Sequence, residues 1–131
     1  MKVITIQQPF ASLIASGLKR YEFRTWKTAY RGEILIHAGK RVDREAMRRF
    51  EGYPLDDPLG CIIARAVLTD CVPVDEKLRE NLRQENFAVY AGVTEATDWQ
   101  GYGFLLEQVE SVDPIPVSGK LGLWEYDGQK L

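Results

Sequence analysis

Within the stretch GLKRYEFRTW, residues 17–26, the side chains of Lys19, Arg20, Glu22 and Arg24 crowd into six positions. Tyr21 and Phe23 alternate with Glu22 and Arg24, so in a strand the aromatics take one face and the carboxylate and guanidinium the other. A carboxylate and a guanidinium two residues apart can ion-pair and hold each other in place. Lys19 directly follows Gly17-Leu18, where a turn can aim it. Buried, it would lose its proton more readily and serve as a base or nucleophile; exposed, it would be a phosphate contact. The bland alternative is a solvated strand face.

Other residues could join such a site. His37, the only histidine, lies in the apolar run ILIHAG. It reads either as a packed strand histidine or as the lip of a pocket. One histidine excludes a His-rich metal site, and Cys61 and Cys71 match no metal-ligand spacing, so they read as reduced, buried thiols. Trp26, Trp99, Trp124, Tyr30 and Tyr102 could stack on bases or simply pack. Trp26 and Tyr30 are each followed by a cation, Lys27 and Arg31. Arg41, Arg44 and Arg48 fall at i, i+3 and i+7, a stripe that could track phosphates or form a solvated helix face. Nothing in the sequence signals a metal or organic cofactor, and no glycine-rich phosphate loop is present.

The elements that must position these groups follow from periodicity. KVITI reads as a strand of β-branched residues. QQPFASLIASG reads as a helix with Pro9 at its first position, an apolar face of Phe10, Leu13, Ile14 and Leu18, and Gly17 as its stop. KRYEFRTW and RGEILIHAG read as strands, the second apolar on both faces and therefore central. VDREAMRRFEGY is a short helix with Asp43 as N-cap and Met47 and Phe50 inward. CIIARAVLTDCVPV is the longest strand candidate, DEKLRENLRQEN a helix with Leu78 and Leu82 inward, and AGVTEATDW a loop. GYGFLLEQVESVDPIPV begins as a strand and ends in a proline-bounded connection, and GKLGLWEYD supplies a turn and a final strand.

The chain has 131 residues, which suits one domain over 1–131. Its 45% hydrophobic and 27% charged residues exclude a disordered chain. No apolar run reaches the roughly 18 residues of a membrane span. The start MKVITIQQPF lacks a signal peptide's apolar core, so the expected address is the cytoplasm. Net charge is −2, which argues against a strongly basic nucleic-acid binder. The distribution is uneven, however. Residues 19–49 carry ten Lys or Arg against four Asp or Glu, a net of +6, leaving −8 on the rest. A positive face attracts phosphates, though two solvated faces could give the same count. The element order is not a regular strand–helix alternation, which disfavours a doubly wound sheet. The expected fold is α+β, a small mixed or antiparallel β-barrel with helices at its rim.

GLKRYEFR also fits the pattern G-x-K-x-x-E-x-R through Gly17, Lys19, Glu22 and Arg24, and this resembles the hallmark of the ASCH domain, named for homology to activating signal cointegrator. ITIQQPFASLIASG is similar to the family's opening strand and helix, WKTAYRGEILIHAGK to its second block with Arg31, Gly32, His37 and Ala38, and GKLGLWEY to its closing turn and strand with Gly122 and Trp124. The likeness covers nearly the whole chain and is strongest to small stand-alone bacterial members and to the cointegrator's own domain. It implies a PUA-like barrel, a cleft beside the first helix lined by Lys19, Glu22 and Arg24, and RNA or a nucleoside as partner. One branch removes an acetyl group from N4-acetylcytidine with a lysine, a threonine and a later glutamate. Lys19 matches that lysine and Glu85 the later acid, whereas Glu22 stands in the threonine's place. Other members are ribonucleases. Two functions are therefore expected: an RNA or nucleoside binder using Lys19, Glu22 and Arg24 with Trp26, Arg31, Gly32, His37, Arg41, Arg44, Arg48 and Trp124 around them, or a hydrolase with Lys19 as base or nucleophile and Glu22 or Glu85 as proton carrier. Neither ligand identity nor protein partners can be read from the residues.

Overall fold

In a computed structural model of the chain, residues 1–128 are described. Nine elements follow in order: β1 (Lys2–Gln8), α1 (Phe10–Ala15), β2 (Tyr21–Arg24), β3 (Gly32–Val42), α2 (Arg44–Arg49), β4 (Cys61–Pro73), α3 (Glu76–Thr94), β5 (Tyr102–Pro116) and β6 (Leu123–Glu125). The six strands form one mixed sheet in the order β2-β5-β4-β3-β1-β6. Only β1 and β3 run parallel. A parallel pair needs a long crossover. Residues 9–31 supply it, and on the way they carry β2 to the opposite edge, where it pairs with β5.

β3 is central, as its two apolar faces require. Ile34, Ile36 and Ala38 enter the main core with Ile4, Ile6, Ala64 and Phe104, while Leu35 joins Val3, Ile62 and Trp124 on the other face. Register shifts in the β1/β3, β3/β4 and β4/β5 ladders mark bulges, which bend strands. The sheet curls so far that Arg24 on one edge strand donates from Nη2 to the Thr5 carbonyl of β1 at 2.7 Å. A side chain, not a ladder of backbone bonds, spans this seam. The fold is thus the expected α+β architecture on a mixed sheet, curled like a barrel with an open seam. The helices pack at its rim: Leu13 of α1, Ala46 of α2 and Leu82, Val89 and Tyr90 of α3 share one apolar cluster.

Four local expectations are corrected. Pro9 stands at the N-cap of α1, one position before the helix. In α2 the fully buried residue is Ala46; Phe50, its C-cap, is buried too, but Met47 is only half-buried. Residues 91–94, expected as loop, continue α3, which kinks at Asn86 (φ −164°, ψ 93°). The DPIP segment stays in β5 through Pro116. β2 covers only Tyr102–Leu105, so the far half of β5 is an edge, where proline is tolerated. Among the described residues no helix is long and apolar enough to cross a membrane.

Candidate functional site

Helix α1 ends in a tight turn. Gly17 takes φ +85°, a left-handed conformation that glycine adopts without strain, and its amide bonds the Ile14 carbonyl at 3.0 Å. The Lys19 amide then bonds the Leu13 carbonyl at 3.1 Å. These bonds turn the Lys19 side chain inward, and the residue is only 4% exposed. Its ammonium donates to the Tyr21 carbonyl and sits 3.5 Å from Glu22 Oε1, 4.9 Å from the Phe23 ring centre and 5.6 Å from that of Phe10. Strand alternation in β2 sets Glu22 and Arg24 side by side. Glu22 Oε2 accepts from Arg24 Nε at 2.9 Å and lies 2.8 Å from Nη2. Burial pushes the Lys19 ammonium below its ordinary pKa of 10.5; the Glu22 carboxylate pulls it part of the way back, and Arg24 adds to the lowering. The result is a triad in which buried Lys19 and half-buried Arg24 share one buried carboxylate.

His37, also buried, sits across from the triad. Its Nε2 lies 2.7 Å from the Val117 carbonyl, which only accepts, so Nε2 carries the proton. Nδ1 then accepts from the Thr5 hydroxyl at 3.2 Å, and that hydroxyl accepts from Trp124 Nε1 at 3.0 Å. The tautomer follows from this network. Thr5 therefore joins both sides, its hydroxyl holding His37 and Trp124 and its carbonyl holding Arg24.

Between them opens a cavity of about 1040 Å³. One wall is Lys19, Glu22, Phe23, Arg24 and Phe10. The others are Thr5–Gln7 of β1, the end of β3 at Gly39–Arg41, the second half of α3 at Val89, Tyr90 and Val93, and the loop 117–122. The loop lies close: a Cβ on Gly119 would stand 2.8 Å from Thr5 Oγ1 and 2.9 Å from the His37 ring.

Lys19, Glu22, Arg24, His37 and Arg41 are brought together in this lining; the other expected site residues are not part of it. Glu85 bonds Arg20 through Nε at 3.1 Å and through Nη2, and accepts from the Tyr90 hydroxyl at 3.3 Å. The Arg20 guanidinium holds its carboxyl below the ordinary range. Trp26 packs edge-on against Phe104, 5.1 Å between ring centres. Trp124 stands behind Thr5, its ring 5.6 Å from His37. Arg31 donates to the Thr28 and Tyr30 carbonyls, and Gly32 opens β3 at φ +130° beneath the Tyr30 ring. Arg44 and Arg48 are exposed on α2, but Arg41 belongs to β3, so the expected three-arginine helix stripe is broken by the Asp43 N-cap. Sequence reasoning missed Thr5, Tyr90, Gly119, Lys40 and Lys120. Thr5 lies in KVITI, read only as a strand of β-branched residues, which assigned it no role.

Fold and cavity define an α+β domain with a curled mixed sheet and a charged, concave site at its seam. Comparison with known proteins gives the family. The ASCH domain profile matches residues 4–116. Activating signal cointegrator 1 of Mus musculus is 28% identical over 96% of this chain, and that of Homo sapiens 25% over 96%. The chain spans 22% of the length of each. Among solved structures, the ASCH protein of Zymomonas mobilis aligns over 88% of this chain and 72% of its own, with TM-score 0.55 and 24% identity. A point mutant of it aligns over 88% and 73%, with TM-score 0.56 and 23% identity. The chain belongs to the ASCH domain family.

Proposed function

We propose that this ASCH domain binds RNA, as single strand or as nucleoside, in the cavity that carries Lys19, Glu22 and Arg24. The observation that carries the reading is the triad itself: three charged side chains, ordered and joined through one carboxylate before any ligand arrives, open onto a cavity with room for a nucleoside. Pre-ordering lowers the entropic cost of binding. Arg24 spends Nε and Nη2 on protein groups and leaves Nη1 for a carbonyl or phosphate oxygen. Glu22 retains lone pairs for an exocyclic amino group, and the Phe10 and Phe23 side chains supply apolar wall for a base.

Titration calorimetry of the chain with nucleosides and short single-stranded RNAs tests this. Arg24→Ala and Lys19→Ala are expected to weaken binding at least tenfold. Absence of binding to every probe, or affinity unmoved in a folded Arg24→Ala variant, would overturn the reading.

One observation favours a second reading, hydrolysis of a modified nucleoside or a phosphodiester. Lys19 is buried, its pKa is lowered, and a carboxylate lies 3.5 Å away. In its neutral form it can take a proton from a water or a ribose hydroxyl, with Glu22, rather than Glu85, in reach to pass it on. Chromatography of RNA and N4-acetylcytidine incubated with the chain separates the two readings: turnover that Lys19→Ala abolishes supports hydrolysis, and unchanged substrates leave binding alone.

A further inference from the structure

The cavity's charges fall into two unlike groups. Inside, Lys19, Glu22 and Arg24 already satisfy one another and the Thr5 carbonyl. At the mouth, Lys40, Arg41 and Lys120 line the same cavity and are exposed. Among the described residues none of these three forms an ion pair. Among the described residues the lining holds one carboxylate besides Glu22, that of Asp43, which spends Oδ1 on the Ala46 amide at 3.0 Å.

Two separate segments bring the three cations to one rim, β3 from one side and the 117–122 loop from the other. Neither is held there by a carboxylate. Lys120 sits over the Trp124 ring, Nζ 5.9 Å from its centre. Lys40 lays its methylenes along Gly60, where a Cβ would stand 3.4 Å from Lys40 Cε. Like charges gathered around a concavity focus a positive potential that an anion relieves. From His37 to Arg41 the strand advances about 13 Å. That reach suits a ligand with a base at the triad and an anionic group at the mouth, and exceeds a base alone.

We infer that Lys40, Arg41 and Lys120 form a phosphate subsite, so that the cavity takes a phosphorylated nucleotide, free or within a strand, in preference to a nucleoside. The inference rests on the nucleic-acid reading above and adds the phosphate. The phosphate lies across the mouth, and the base is directed toward Arg24, Phe10 and Phe23.

Calorimetry at low salt with cytidine, adenosine, their 5′-monophosphates and a trinucleotide tests it. The monophosphates are expected to bind at least tenfold more tightly than the nucleosides. The double variant Lys40→Ala/Lys120→Ala is expected to erase that advantage and leave nucleoside affinity unchanged. Both side chains are exposed, so the fold survives their removal. A trinucleotide far tighter than the monophosphate would make the phosphodiester the source of the phosphate; parity would make it a terminal phosphate, and both results support the subsite. Equal affinity for nucleosides and monophosphates, or an advantage that persists in the double variant, overturns the subsite and leaves the base reading standing. If no probe binds at all, the underlying nucleic-acid reading falls with it.

Discussion

Glu22 carries more than its own charge. Lys19 has been taken out of water, and its partners are one carbonyl and the edge of this carboxylate. Removing one partner of a buried pair leaves an uncompensated charge, which costs about 3–5 kcal/mol. Glu22→Gln is therefore expected to destabilise the chain by about 3 kcal/mol or more in urea unfolding. It should also drop the Lys19 pKa further, because Glu22 is what raises it. In the folded chain Lys19 releases its proton below 10.5, whereas in the unfolded chain it holds it up to that value. Between the two pKa values the unfolded chain binds more protons, so stability rises with pH through that window. Below the window the burial cost is present in full. Reductive methylation of Lys19 followed against pH measures the midpoint directly; a midpoint at or above 10.5 would refute the burial argument.

Elements decide whether the triad faces a cavity or bare solvent. The second half of α3 builds one wall, and it starts afresh at Asn86, whose Oδ1 accepts from the Val89 amide at 3.2 Å. Asn86→Ala removes that cap and is expected to cost about 1 kcal/mol in thermal unfolding. If melting is unchanged, the cap is idle. The opposite wall is held by His37, and Gly119→Ala would drive a methyl into Thr5 and the imidazole. A loss of about 1–3 kcal/mol follows from such overpacking, together with faster amide exchange in 117–122. Wild-type exchange there would mean that the loop has room to spare.

How much of this could be read beforehand depended on the element. The strand around Glu22 announced itself by alternation, the strand around Ile34 by a run apolar on both faces, and the triad by its charge density. The end of α3 did not, because Gly92, Val93 and Thr94 are poor helix formers and burial of Val89, Tyr90 and Thr94 overrides them. Gly119 was invisible for a different reason: its neighbours Thr5 and His37 are distant in sequence, and no local pattern encodes that meeting.

At the scale of the whole molecule, an acidic chain of net charge −2 brings three cations outside any ion pair among the described residues, Lys40, Arg41 and Lys120, to one mouth. Attraction to a strand of phosphates should then be local and salt-dependent. Affinity for a short RNA is expected to fall as salt rises, with log–log slope near −0.7 per phosphate neutralised on a single strand, and Lys40→Ala should lower the slope by about that amount. A slope of zero across 50–200 mM salt, a range over which three such contacts should lose about twentyfold in affinity, would mean that phosphates are not engaged.

The Thr5 node also has a consequence for synthesis. Its two side-chain partners enter from opposite ends of the ribosome's output, His37 early and Trp124 among the last strand's residues. A nascent chain emerged as far as Pro116 can already form the Lys19–Glu22–Arg24 triad. It still lacks the Val117 carbonyl, the 117–122 wall, and the indole that fixes the Thr5 hydroxyl. The pocket is thus enclosed only by the last loop and strand of the described fold, and a chain truncated at Pro116 would keep Lys19, Glu22 and Arg24 without the wall that faces them.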